Sequence, residues 1–129
     1  MAHGKFGTAI NCMDGRVQLP VIEWMKKQYK LDYVDMITEP GADKAVSCGW
    51  YERIEEIKAK ALISVNAHGS RTIIIAGHDD CAGNPVTPEQ HKANLRDAVK
   101  TVLSWNLPLE TVDAIWINKN WRVEPLEIK

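Results

Sequence analysis

The sequence predicts an α/β protein in which a central, mostly parallel sheet lies between two layers of helices. Strand-like apolar runs alternate with helix-like segments, which is the pattern of βαβ units with right-handed crossovers. The run "RTIIIAG" (71–77) is apolar and rich in β-branched residues, so it indicates a central strand covered on both faces. A chain of 129 residues suffices for one hydrophobic core, and we expect a single domain over residues 1–129.

The first half of the chain predicts two strands and two helices. A buried strand over 6–11, "FGTAIN", precedes a helix over 19–30 whose apolar positions repeat every three to four residues. A second strand, 33–38, shows the alternation of a half-buried strand, and the breaker "EPGAD" follows it. Near-heptad apolar spacing then predicts one long helix that includes Val46 through Val65.

The second half predicts one more helix and a hairpin. "TPEQ" is a capping box, with Thr87 as the cap and Pro88 at the first helical position. Four apolar residues of this helix are expected to point inward: Leu95, Val99, Val102 and Leu103. The tail "VDAIWINKNWRVEPLEI" (112–128) predicts a hairpin that turns at 118–120. We therefore expect a strand order of about 2-1-3-4 plus this hairpin, with a ligand crevice where the first and third strands end.

Thiol and imidazole groups stand where those two strands end. Cys12 follows the first strand, and His78 and Cys81 follow the third in the Gly-rich turn "GHDDCAG". Zinc accepts tetrahedral sulfur and nitrogen ligands, and two thiolates with one imidazole leave the fourth position open, as in catalytic sites. The sequence therefore predicts that Cys12, His78 and Cys81 bind Zn²⁺.

Composition and missing motifs exclude several classes of function. The net charge is −1, so no basic footprint for nucleic acid is present, and no apolar run is long enough to cross a membrane. Three cysteines do not form a secreted disulfide framework, and "MAHGKFG" has no signal-peptide core, so we expect a cytoplasmic protein. Walker and GxGxxG loops are absent, and Gln18 replaces the arginine that a cysteine phosphatase needs.

The two motifs "CMDGR" and "GHDDC", each directly after a strand, resemble those of the β-class carbonic anhydrases, and "ITEPGA" resembles the segment after that family's second strand. The resemblance implies zinc on Cys12, His78 and Cys81, and a catalytic dyad of Asp14 and Arg16 beside the metal. It further implies reversible hydration of carbon dioxide to bicarbonate by a metal-bound hydroxide, in a homodimer or higher homo-oligomer. If Arg16 releases Asp14, the carboxylate is expected to take the open metal position at lower pH.

Other interpretations remain open at the level of sequence. The metal could serve a hydrolase of carbonyl sulfide or carbon disulfide instead. Gly15 and "CAG" depart from the family's usual residues, which leaves a non-catalytic zinc-binding module on the same fold as a further alternative. Asp79 and Asp80 are expected to brace the Gly-rich turn through backbone N–H groups, or Asp80 to support a ligand.

Three further residues carry expectations of their own. Cys48 lies away from both motifs, within the predicted long helix, and is expected to serve packing. His91, in the helix beyond the site, is the nearest candidate for a proton shuttle. By analogy with the family segment, Glu39 and Gly41 are expected to shape the wall of the pocket.

Overall fold

The computed structural model describes residues 3–127. Met1 and Ala2 of the predicted domain, Ile128 at the end of the predicted hairpin, and Lys129 lie outside the described residues. In chain order, the elements are β1 (Phe6–Asn11), a 3-10 turn (Gly15–Val17), α1 (Gln18–Tyr29), β2 (Tyr33–Thr38), α2 (Ala42–Cys48), α3 (Tyr51–Ala67), β3 (Thr72–His78), α4 (Pro88–Leu103), β4 (Thr111–Ile117) and β5 (Val123–Pro125).

One five-stranded sheet organises the molecule, in the order β2-β1-β3-β4-β5. The first four strands are parallel, and β5 pairs antiparallel with β4. This confirms the predicted strand order and the C-terminal hairpin. The sheet places β1 beside β3, so their carboxyl ends lie next to each other at one edge, where parallel sheets bind ligands.

Helices cover both faces of the sheet, which confirms the three-layer αβα architecture. On one face α1 packs Val21 and Met25 against an apolar cluster that includes Ile74 of β3. On the other face α2, α3 and α4 enclose a larger cluster that includes Ile73 and Ile75 of the same strand. Every residue of β3 is buried, as predicted for a strand covered on both sides. No helix within residues 3–127 has the length and apolar character that crossing a membrane would require.

The prediction of one long helix through Val46 and Val65 was wrong, because the chain forms two helices that meet at Gly49 and Trp50. Both of these residues are extended, with ψ of 162° and 161°. A Cβ at position 49 would collide with the Ala45 carbonyl oxygen, so this break depends on glycine. The break leaves the Trp50 side chain 72% exposed, although the periodicity had assigned it to the buried face.

Two smaller expectations about helical positions also failed, and one was confirmed. Leu103 was expected to point inward but is 56% exposed in the last turn of α4. Cys48 is exposed at the end of α2 rather than packed inside a helix. The predicted cap of α4 is present, since the Thr87 hydroxyl accepts a hydrogen bond from the Gln90 N–H at 3.2 Å.

Candidate metal centre

Two loops bring Cys12, His78 and Cys81 together at the carboxyl edge of the sheet. Cys12 follows β1, His78 ends β3, and Cys81 lies in the turn that follows. All three side chains are buried, and one ligand atom from each lies within 4.8 Å of the other two. The three residues are distant in sequence, and the parallel pairing of β1 with β3 makes them neighbours in space.

The distance between the two sulfur atoms suits a tetrahedral metal ion. The Sγ atoms of Cys12 and Cys81 are 4.0 Å apart, and both cysteines are free thiols. Zn–S bonds of about 2.3 Å at tetrahedral angles place two sulfurs about 3.8 Å apart, whereas a disulfide bond measures about 2.0 Å. The pair is therefore spaced for a shared metal ion.

The imidazole of His78 presents one free nitrogen. Its Nδ1 lies 2.6 Å from the Asp79 carbonyl oxygen, which only accepts, so Nδ1 carries the proton. Nε2 is buried and has no hydrogen-bond partner among residues 3–127. A metal-binding histidine ordinarily donates its other N–H to a carbonyl or carboxylate in this way. The unpartnered nitrogen and the two sulfurs form a donor set that fits Zn²⁺.

The protonation of the two thiols is strongly unequal. The neighbouring Cys81 thiol is the main cause that lowers the pKa of Cys12 to about 4, against the opposing effect of burial. His78 and the backbone N–H groups of Asp14 and Gly41 also stabilise the Cys12 thiolate. The same contact with Cys12, together with burial, raises the pKa of Cys81. Without a cation the pair retains one proton, and metal binding would release it.

The pKa of His78 is subject to two opposed influences. Burial lowers the pKa of its imidazole, but the side chain of Cys12 and the Asp79 carbonyl together outweigh burial and raise it. The cluster thus concentrates negative charge around a buried imidazole, which is the electrostatic setting of a cation site.

Asp14 and Arg16 form a bidentate ion pair beside these three residues. Nη2 of Arg16 lies 2.7 Å from Oδ2 of Asp14, and Nε lies 3.1 Å from Oδ1. The carboxylate also caps the following 3-10 turn by accepting the Arg16 backbone N–H at 2.8 Å. The Arg16 guanidinium lowers the pKa of Asp14 to about 2, and Asp14 in turn raises the pKa of Arg16.

The Cys12 loop is held by two amide side chains that the sequence reading had not singled out. Asn11 accepts the Cys12 N–H at 2.9 Å and donates to the Val17 carbonyl at 3.2 Å. Gln18 donates to the carbonyls of Cys12 and Asp14, both at 2.8 Å. The position of Asn11 at the end of an apolar strand could have indicated its role, because an asparagine buried there needs hydrogen-bond partners; the structure shows it 0% exposed. Nothing in the sequence indicated the role of Gln18.

The expectation that Asp79 and Asp80 brace the Gly-rich turn through backbone N–H groups was wrong, since neither carboxylate accepts a backbone N–H within the described residues. Asp79 contributes its backbone, which accepts from His78 and donates from N–H to the Ile117 carbonyl at 2.9 Å. The Asp80 carboxylate instead accepts from Nη1 of Arg16 at 3.3 Å, and its carbonyl accepts from Nη2 at 3.2 Å. Asp80 thereby links the turn after β3 to the dyad after β1.

Two glycines let the neighbouring loops pack directly on each other. A Cβ at Gly83 would lie 2.5 Å from the Gly41 nitrogen, and one at Gly41 would lie 2.6 Å from the Gly83 oxygen. Gly41 also has φ +59°, which an L side chain rarely adopts. Glu39, expected at the same wall, pairs with Arg53 at 3.1 Å. Gly41 therefore lies against the turn that carries Cys81.

His91 does not occupy the position of a proton shuttle. Its side chain is 2% exposed, and Nδ1 lies 2.5 Å from Oδ2 of Asp43, itself 2% exposed. The pair lies behind the Gly-rich turn, where Asn84 donates to Oδ1 of Asp43 at 3.1 Å. A histidine enclosed in this way has no exposed nitrogen that exchanges protons with solvent, so the expectation for His91 was wrong.

The model of the family described as "Putative carbonic anhydrase" matches residues 2–127, so the chain belongs to that family. No curated protein sequence matches the chain.

Two solved structures share the fold. The first is the β-carbonic anhydrase CafA of Aspergillus fumigatus, with a TM-score of 0.63 and 13% identity over 97% of this chain and 76% of that one. The second is a carbonic anhydrase from Glaciozyma antarctica, with a TM-score of 0.53 and 15% identity over 92% of this chain and 80% of that one. At this level of identity the likeness defines the architecture as that of the β-carbonic anhydrases.

Proposed function

We propose that this protein is a zinc enzyme that reversibly hydrates carbon dioxide to bicarbonate, in the cytoplasm and as a homodimer or higher homo-oligomer. Membership in the carbonic-anhydrase-like family supports the reaction. The observation that carries the proposal is one buried cluster of two sulfurs and a free imidazole nitrogen beside an arginine-bound carboxylate. The sulfur spacing and the convergence of both sulfurs on the imidazole of His78 support a metal role over simple packing.

Cys12, Cys81 and Nε2 of His78 would hold the metal. When bound, zinc supplies a Lewis acid that lowers the pKa of water from about 15.7 towards about 7 and makes it nucleophilic near neutral pH. Both cysteines would bind as thiolates, so their two negative charges balance the charge of the ion. The Nδ1–H of His78 keeps the ring oriented through the Asp79 carbonyl.

Asp14 would orient the attacking oxygen. Because Arg16 lowers its pKa to about 2, the carboxylate is charged throughout the physiological range and acts only as an acceptor. It accepts the O–H of the attacking oxygen, so that a lone pair of this oxygen faces the carbon of carbon dioxide. One C–O bond forms, one C=O π bond opens to give bicarbonate, and the proton lost from water passes to solvent buffer.

The surroundings suit an apolar substrate. Cys12 and Cys81 belong to the same apolar cluster as Val17 and Ile117, with Trp121 packed against it. Carbon dioxide has no hydrogen-bond donor, so a wall of this kind excludes water without leaving polar groups unpaired.

Metal content provides the first test. We expect about one zinc per chain in protein purified without chelators, and its loss in Cys12→Ala and His78→Ala. Cys48→Ala is the matched control, because this thiol is exposed and lies outside the cluster. Protein that binds no zinc under these conditions would contradict the proposal.

Stopped-flow hydration of carbon dioxide provides the second test. We expect Asp14→Asn and Arg16→Ala to lower kcat/KM by about 10²-fold or more while zinc remains bound, which is the scale of losing a positioned acid–base group. Asp97→Asn, an exposed carboxylate, is the control. Turnover of carbonyl sulfide or carbon disulfide without carbon dioxide hydration would reassign the substrate. Zinc binding without any turnover would identify a binding module.

A further inference from the structure

Trp121 lies over the catalytic arginine although it comes from the opposite end of the chain. Its ring centroid is 4.4 Å from Cζ of Arg16, which is the geometry of a cation–π contact. The same ring is 6.4 Å from the imidazole centroid of His78. The indole therefore contacts the dyad and borders the metal cluster at once.

The turn between β4 and β5 is built to hold this residue in place. Trp121 has φ +60°, a conformation that a bulky residue rarely adopts unless its surroundings fix it. Its backbone N–H donates to the Asn118 carbonyl at 2.9 Å. The Asn118 side-chain oxygen accepts from the backbone N–H groups of Asn120 and Arg122 at 2.9 and 3.2 Å. These hydrogen bonds on both sides of Trp121 aim the ring back over the sheet edge.

Arg16 needs such support because its side chain is 46% exposed. A long exposed side chain samples many rotamers, and ion pairs at the surface restrain it weakly. Asp80 adds a contact at 3.3 Å from its carboxylate to Nη1 and one at 3.2 Å from its carbonyl to Nη2, but its side chain is 77% exposed. The indole adds a contact at Cζ, which none of these hydrogen bonds reaches.

We propose that Trp121 is a positioning residue that holds the Arg16 guanidinium flat against Asp14 and so keeps the carboxylate aligned for the reaction. This inference rests on the proposed function for its kinetic consequence only. The contact itself is a property of the folded chain and can be measured without metal or substrate.

A pair of substitutions distinguishes a contact between Arg16 and an aromatic ring from simple apolar packing. Trp121→Phe keeps a ring over Arg16, whereas Trp121→Leu keeps apolar bulk and removes the ring. Trp24→Leu is the matched control, because Trp24 packs on the same apolar cluster and contacts Tyr29 instead.

The direct readout is the NMR signal of the Arg16 Nε–H, which donates to Asp14 and is assigned by its loss in Arg16→Lys. We expect Trp121→Leu to accelerate its exchange with water by about 3- to 30-fold, the factor that corresponds to a cation–π contact. Trp121→Phe should retain most of the protection, and Trp24→Leu all of it. An unchanged signal in Trp121→Leu, in protein whose thermal unfolding shows that it is folded, would overturn the inference.

The kinetic readout is a double-mutant cycle on the zinc-loaded protein. We expect Trp121→Leu to lower kcat/KM for carbon dioxide by about 3- to 30-fold in the presence of Arg16, and to have no further effect in Arg16→Ala. Equal losses in both backgrounds would show that Trp121 does not act through Arg16. If the unsubstituted protein shows no hydration, the proposed function fails, and the exchange measurement still decides whether Trp121 holds Arg16.

Discussion

Two histidine–aspartate pairs in this chain use the same atoms at nearly the same distance, but they lie in different surroundings. Nδ1 of His91 is 2.5 Å from Oδ2 of Asp43, and Nδ1 of His68 is 2.6 Å from Oδ2 of Asp35. The first pair is enclosed, with both side chains 2% exposed, whereas those of the second are 34% and 26% exposed. The contact geometry alone would rank them as equals.

Their neighbours explain why they are not equal. The Asp43 carboxylate also accepts a hydrogen bond from the Asn84 side chain, and the backbone N–H of Asn84 donates to the Cys81 carbonyl at 3.3 Å. The enclosed pair is therefore linked to the turn that carries Cys81. Asp35 accepts a second hydrogen bond from Ser64 at 2.6 Å, and its side chain is partly exposed. Removal of the histidine takes a hydrogen-bond partner from an enclosed carboxylate in the first pair and from a partly exposed carboxylate in the second. Burial, more than distance, sets the energetic weight of each pair.

Breaking the enclosed pair should have the largest effect. We expect His91→Ala to lower the free energy of unfolding by about 3–5 kcal/mol, because it removes a fully buried side chain and takes the shortest hydrogen bond from the buried Asp43 carboxylate. Urea unfolding followed by circular dichroism measures this loss.

A second substitution tests the cause of that loss. Asp43→Asn in the His91→Ala background replaces a buried carboxylate that has lost its histidine donor with an amide whose oxygen needs fewer donors, so it should restore part of the stability. A loss of less than about 1 kcal/mol in His91→Ala would show instead that the pair behaves like an exposed one.

The burial of His91 illustrates what the sequence could and could not reveal. His91 precedes Leu95 by four residues and Val102 by eleven, so the helical period alone places it on the buried face of α4. Its partner was not visible, because Asp43 lies 48 residues away and reaches it only through the packing of α2 on α4. Local patterns reveal which face a residue takes, and tertiary packing decides which residue it meets.

The same distinction separates the three candidate metal ligands, which the sequence predicts, from Trp121, which it does not. Cys12, His78 and Cys81 follow strands whose order can be inferred from crossover rules, so their meeting was predictable. Trp121 reaches the site through a hairpin with a left-handed residue, and no motif or period in the sequence indicates that geometry. The glycine at position 49 could have indicated the break between α2 and α3, but the apolar spacing continues across it and predicts one long helix.

Breaking the exposed pair should cost much less. We expect His68→Ala to lower the free energy of unfolding by about 1 kcal/mol, since it removes a partly exposed hydrogen bond to Asp35 and the stacking contact on Phe6 at 4.2 Å. A loss as large as that of His91→Ala in parallel urea unfolding would contradict the comparison.

Asp113 extends the comparison to a carboxylate without any cation and gives the smallest effect, of opposite sign. The structure shows no hydrogen bond or ion pair for its side chain within residues 3–127, and burial raises its pKa above the ordinary 3.8. The folded state therefore binds this proton more tightly than the unfolded state, and stability is lost as pH rises from below 3.8 through the folded-state pKa. We expect Asp113→Asn to stabilise the protein at pH 7 by up to about 0.5 kcal/mol and to lose this advantage near pH 3. Thermal unfolding at the two pH values measures the difference, and an Asp113→Asn protein that is less stable at pH 7 would show that the carboxylate has a favourable partner after all.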